Sequence, residues 1–237
     1  MGVRRSTTTW ARRSAAAGAV ASACFTVGDL LLLGRRGRPA EHQLLREETD
    51  LHDAAETFLG SSTTRMRAGG LWGVLSSPLH IASAWQLYDA LRPTGTARAA
   101  RIAGTYAGAW AMASYIHGAF YPWGAAFHTA EAADPGTPQR AAALGQAAEI
   151  ERSVEIPYAV FGAALAGVSV EVSMLAALGR TRYPRWSAPL VTPLLPVAVT
   201  LAATKLLPTR HRERWEGAGI SLGVLASNIA AAAVHRS

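Results

Sequence analysis

Six apolar runs of about 20 residues, at 14–33, 69–91, 99–121, 157–178, 186–207 and 217–235, constrain this chain more than any other feature of its sequence. A helix needs about 20 predominantly apolar residues to cross a bilayer, and each run meets that length. Four of the runs carry an ionisable side chain well inside: Asp29, His80, His117 and Glu171. Such a group costs roughly 2.5–3.5 kcal/mol at the centre of a span, so intramembrane acids and histidines usually face a bundle interior and mark a relay, a pathway or a reactive pocket.

The alternating ten-residue segments of a closed barrel are absent. The expected fold is an all-α integral-membrane bundle of about six transmembrane helices, with an amphipathic interfacial helix, in a single domain over 1–237. Hydrophobic residues make up 50% of the chain and charged ones 16%, a balance that favours a membrane class. The net charge of +7 does not point to nucleic acid. Its arginines sit where runs end, at Arg12 and Arg13, Arg35 and Arg36, Arg92, Arg180 and Arg182, and Arg210 and Arg212, as interfacial anchors do, and no recognition motif accompanies them. The single cysteine, Cys24, supplies no disulfide framework. Lysine occurs only at Lys205 and alanine is abundant, which fits a high-G+C bacterial genome and hence multi-pass insertion in a bacterial plasma membrane. Residues 1–33 could pass for a secretory signal, but the apolar stretch exceeds a signal core and contains Asp29, so it reads as a retained first span.

The longest polar connection, 34–68, repeats Leu44, Leu51, Ala55 and Phe58 at helical spacing opposite Glu47, Asp50 and Asp53, as a helix lying on the membrane surface would. The second, 122–156, holds the turn signal Asp134-Pro135-Gly136-Thr137-Pro138 and then an alanine-rich helical stretch. Pro122 is expected to kink or end the third helix, and Pro157 to open the fourth. Gly104 with Gly108, and Gly217 with Ser221, read as small-residue packing seams. Pro189, Pro193 and Pro196 should break the first half of the fifth run. Alternating spans put Asp29, His117 and Glu155 toward one face, with Glu171 and Asp89 nearer the other and His80 about midway. Basic residues split 11 against 12 between the faces, so their count leaves orientation open.

Trp110, Ser114, His117 and Tyr121 follow i, i+4, i+7, i+11 and share one helical face. His80 has Ser76, Ser77 and Ser83 within a turn on either side. It reads either as a neutral histidine hydrogen-bonded across helices or as an acid, base or orienting group. Asp29 and Glu171 read either as structural acids or as proton donors, because a carboxyl group in low dielectric can hold a proton and deliver it. Asn228 adds a polar contact on the sixth run, on the face of Ser221 and His235. Glu48, His52 and Glu56, together with Asp50 and Asp53, form an acidic face without the second motif that a diphosphate-binding site needs. His128 and Glu131 have one copy of a ligand spacing that metal sites use in pairs. Neither a metal nor another cofactor is expected.

The run Val27-Gly28-Asp29-Leu30-Leu31-Leu32, the run Arg67-Ala68-Gly69-Gly70-Leu71-Trp72-Gly73 and a histidine late in the third span resemble an uncharacterised family of small bacterial multi-spanning membrane proteins. That resemblance implies topology and the importance of Asp29. A looser resemblance, to integral-membrane terpene cyclases, implies a small, helical, cofactor-free enzyme that protonates an epoxide or alkene with a membrane-embedded carboxylic acid.

The leading expectation is acid-initiated cyclisation or isomerisation of an isoprenoid or sterol-like lipid. Asp29, His80, His117, Glu155 and Glu171 are the candidate catalytic groups, and Trp72, Trp85, Trp110, Tyr115, Tyr121 and Asn228 the candidate substrate contacts. The alternatives are proton-coupled transport or lipid binding without catalysis, and a metal-dependent lipid hydrolase using His117 and His128. The partner in each case is a membrane lipid or apolar isoprenoid, and the sequence fixes no oligomeric state.

Overall fold

The structure is a computed structural model that describes residues 2–48 and 53–234. Among the described residues it is all-helical: α1 (Gly2–Leu32), α2 (Gln43–Glu47), α3 (Asp53–Leu59), α4 (Thr63–Leu91), α5 (Thr96–Ala132), α6 (Pro138–Ala177), α7 (Leu194–Lys205), α8 (Thr209–Glu216) and α9 (Gly219–Val234). Each of the six apolar runs contains one long helix or part of one. The helices pack in the order α6, α5, α4, α1, α9, α7.

Among the described residues, two helices, over Thr9–Leu32 and Pro138–Ala177, are long and apolar enough to cross a membrane. The run 186–207 becomes helical only at Leu194, after Pro189 and Pro193, and the 12-residue α7 is about 18 Å long at 1.5 Å per residue. The 16-residue α9 reaches about 24 Å, short of a hydrocarbon layer of about 30 Å. Of the six expected spans, length and composition among the described residues therefore support two.

Pro122 does not end its helix and Pro157 does not open one. α5 continues through Pro122 to Ala132, and Pro157 lies in the middle of α6. At 37 and 40 residues these helices run about 55 and 60 Å, and they pair along their length. The turn between them forms as expected. Gly136 takes a left-handed φ of 72°, Thr137 caps α6 by accepting from the Arg140 amide at 3.3 Å, and Pro138 fills the first turn.

The 34–68 connection is a folded cap rather than a surface helix. Leu44 of α2 and Ala55 and Phe58 of α3 are buried against Phe120, Trp123 and Phe127 of α5 in a second core. Glu131 of α5 accepts from the amides of Gln43 and Leu44 at 2.9 and 2.7 Å, and so caps α2 from a distant helix. His128 Nε2 is bonded to the Ser61 carbonyl at 2.9 Å. Both residues of the candidate metal pair thus hold the cap in place. Leu51, Asp50 and His52, which the sequence placed on the surface helix or its acidic face, lie outside the described residues, as does His235.

α1 and α4 meet where Gly28 faces the Gly69 carbonyl, a contact too close for a side chain on either glycine. Arg65 completes the join by donating to the carbonyls of Leu31 and Leu30 at 2.8 and 2.5 Å, at the C-terminus of α1. Gly104 and Gly108 face open space, so the third-run glycines form no seam within the chain.

The polarity of α4 is inverted relative to a helix of a water-soluble protein. Ser76, Ser77, His80, Ser83, Gln86 and Asp89 are buried, while Leu71, Leu75, Leu79 and Trp85 are exposed. Phe58 should be the keystone of the cap. Phe58→Ala is expected to cost roughly 3–5 kcal/mol, measured as faster proteolysis within 34–62 and earlier thermal unfolding.

Candidate active site

Asp29 ends the sequence of small and polar positions on α1 that begins at Gly18 and Ser22, so its carboxyl points to the interior where α1, α5 and α9 converge. On α5, Trp110 and His117 lie two turns apart on one face, as the spacing predicts, and both are buried. The His117 Nε2 stands 3.5 Å from Asp29 Oδ1, and Ser221 of α9 faces the same carboxyl. Gly70 of α4 lets the His117 backbone carbonyl approach, and Gly73 leaves room for the ring. A Cβ at Gly73 would collide with the imidazole.

The pair opens on a cavity with about 550 Å³ of empty space, its mouth included. Phe25, Trp110, Phe120 and Phe161 give it aromatic walls. Buried Phe25 and Trp110 mark the floor, while half-exposed Tyr158 and Ile220 mark the mouth, between α6 and α9, which barely touch each other. Among the described residues, none lining the cavity is a lysine or arginine.

His80 lies behind this floor. Its ring stacks on Trp110 with centroids 3.5 Å apart and planes within 2°. Phe25 stands edge-on to both imidazoles, 5.1 Å from His80 and 4.4 Å from His117. Among the described residues, both ring nitrogens of His80 are buried without a hydrogen-bond partner, as are His117 Nδ1 and Trp110 Nε1. Buried polar atoms rarely stay unpaired, and those that do mark places where water or a ligand group belongs.

The other candidates are held apart from the cavity. Glu171 accepts from Arg101 at 2.6 and 2.7 Å and lies 3.6 Å from Arg98, at the far end of α6. Glu155 is exposed on α6. Trp72, Trp85 and Tyr121 project from outer faces, and Tyr115 ties α5 to α6 through Ser153 at 3.1 Å. Asn228 is buried beside the cavity rather than in it, donating to Ser22 Oγ at 3.0 Å. The sequence reading passed over Phe25, Tyr158 and Phe161. Phe25 had a usable signal, since it precedes Asp29 by one helical turn. The α6 residues had none, because only the packing of α6 across α5 turns them toward Asp29.

Gly73→Ala is expected to push the His117 ring away from Asp29 at an overpacking cost of about 1–3 kcal/mol. Nitrogen chemical shifts of labelled His117 would report the lost contact, and Gly104→Ala, which meets open space, should leave them unchanged.

No curated protein and no solved structure matches the chain. Residues 8–236 match the family described as "Family of unknown function (DUF6796)", and the chain belongs to that family.

Proposed function

We propose that this protein is a multi-pass enzyme of the bacterial plasma membrane that carries out acid-initiated isomerisation or cyclisation of a neutral isoprenoid or sterol-like lipid, with Asp29 as the proton donor. The bilayer placement is supported by the inverted polarity of α4 and by the large apolar side chains exposed on other long helices, such as Ile156 and Met174 of α6. In water those faces would form apolar patches of the kind that soluble monomers avoid. In lipid they cost nothing, and the buried polar face of α4 becomes the part that needs partners.

The observation that carries the catalytic reading is the Asp29–His117 pair at the wall of an aromatic cavity. A protonated Asp29 delivers its proton to an alkene or epoxide oxygen lying in the cavity, and the electron pair that takes up the proton leaves a carbon cation. The ring faces of Phe25, Trp110 and Phe161 stabilise that cation through their quadrupoles. His117 then removes a proton from the neighbouring carbon, forming the new double bond. Across the 3.5 Å separation the imidazolium returns a proton to the Asp29 carboxylate. The cycle consumes no proton, so the product is an isomer of the substrate. Without a lysine or arginine in the lining, a phosphate headgroup would enter uncompensated, and the substrate class is therefore neutral.

Two measurements test this reading. The protein should remain with the membrane fraction after alkaline carbonate washing. Incubated with plain and epoxidised polyprenyl lipids, it should yield a product of unchanged mass, and Asp29→Asn should slow the reaction by about 10²–10⁴-fold, the usual contribution of general acid–base catalysis. Release by carbonate, absence of product from every lipid, or turnover indifferent to Asp29→Asn would each overturn it.

A further inference from the structure

The catalytic cycle leaves unused a file of buried polar groups that runs from the Asp29–His117 pair through the bundle to its opposite end. His80 follows His117 across the edge of Phe25. Ser83, one turn along α4, donates to the His80 carbonyl at 2.6 Å and, like Asn228 of α9, lies in hydrogen-bonding reach of the Tyr106 hydroxyl of α5. Gly18 of α1 makes this crossing possible, because a Cβ there would lie 2.8 Å from both Asn228 Oδ1 and the Ser83 Cβ. Beyond Tyr106, Tyr183 lies within electrostatic reach of both Tyr106 and Asp89. Its hydroxyl donates to Gln86 Oε1 at 2.5 Å. The file ends at Asp89, which is 2% exposed and receives Arg182 Nη1 at 2.6 Å, with the arginine side chain 43% exposed at the surface.

Its length matters. Gly73, against which His117 packs, and Asp89 are separated along α4 by 16 residues, or about 24 Å. That is most of a hydrocarbon layer of about 30 Å. A purely structural polar core would be expected to satisfy its members, yet both nitrogens of His80 and Asp89 Oδ1 have no partner.

We propose that this file is a proton path across the membrane, with His80 as its central carrier and Phe25 as its gate. An imidazole takes a proton on one nitrogen and releases one from the other, and both His80 nitrogens are open. The Ser83, Tyr106 and Tyr183 hydroxyls accept and donate in turn, while Asn228 and Gln86 orient the polar groups around them. Between His80 and His117 the path is interrupted by the Phe25 ring edge, an apolar constriction of the kind that gates by excluding water. The groups that face this stretch from the packed helices are Asp29 and Phe25 of α1, His117 and Trp110 of α5, and Ser221 and Asn228 of α9. Arg182 and Asp89 are the charged residues at the far end. A cyclisation or isomerisation that regenerates its own acid needs no such path, so proton movement is a separate activity of the protein.

The proposal rests on the bilayer placement above but not on catalysis. The full-length protein is reconstituted into vesicles of neutral phospholipid containing a pH-sensitive dye, with potassium and valinomycin to dissipate charge, and an acid jump is applied outside. Co-flotation with the vesicles is checked first, and protein that does not co-float overturns placement and path together. Phe25→Ala is expected to speed acidification roughly tenfold, the factor that about 1.4 kcal/mol off a barrier gives. His80→Phe, in the Phe25→Ala background, should return it to the rate of protein-free vesicles. His80→Gln, which keeps a polar group but cannot carry a proton, should do the same if the variant folds. Flux in either the wild type or Phe25→Ala that both His80 substitutions abolish supports the path. Flux at the protein-free rate in both, or flux that survives either His80 substitution, overturns it.

Discussion

The contact between Asp29 and His117 depends on how closely three helices approach one another. Gly28 against Gly69 brings α1 onto α4, Gly70 admits the His117 backbone carbonyl of α5, and Gly73 lets its ring sink into the surface of α4. A side chain at any of these positions would wedge the helices apart, and a carboxyl and an imidazole 3.5 Å apart would separate. Small residues at a helix crossing usually serve packing alone. Here the packing also sets the distance between Asp29 and His117 at the cavity wall, so the same glycines that join the helices fix the geometry on which the proposed chemistry rests.

The bundle has two cores with different tasks. One joins α1, α4, α5, α6 and α9 around Phe25, Trp110 and Val172, and it builds the floor of the cavity. The other, around Phe58, Phe120 and Trp123, attaches the cap formed by α2 and α3 to the extended α5–α6 hairpin. Phe120 lines the cavity and also packs on Phe58 at a ring distance of 5.6 Å. The cap therefore braces one wall of the site without reaching into it. Buried Arg140 of α6 strengthens the attachment through Glu47 of α2 at 2.9 Å.

The two halves of the polar interior differ in what surrounds them. Around Asp29, His117 and Ser221 the lining is aromatic or aliphatic, and the space opens sideways between α6 and α9. Around Ser83, Tyr106 and Gln86 polar side chains fill the space: Ser83 and Asn228 lie in hydrogen-bonding reach of the Tyr106 hydroxyl, and Tyr183 donates to Gln86. Phe25 touches both halves, in T-shaped contact with His117 on the cavity side and with His80 on the other.

Much of this was legible in the sequence. The apolar runs announced the long helices, the i, i+7 spacing put Trp110 and His117 on one inward face, and the position of Asp29 in the first span marked it as the group to follow. What the sequence could not decide was everything set by contacts between distant segments. Glu171 had the same local credentials as Asp29, yet α5 places Arg98 and Arg101 beside it and makes it half of a surface ion pair. Pro122 carried a local signal to kink or end a helix and Pro157 one to open it, yet both lie inside the long paired helices α5 and α6. Leu44 and Phe58 showed an amphipathic period without saying what their apolar face would meet, and it met α5. Periodicity records which side of a helix is apolar; only tertiary packing determines which polar groups on the other side come together, because that depends on crossings fixed by glycines far apart in the chain.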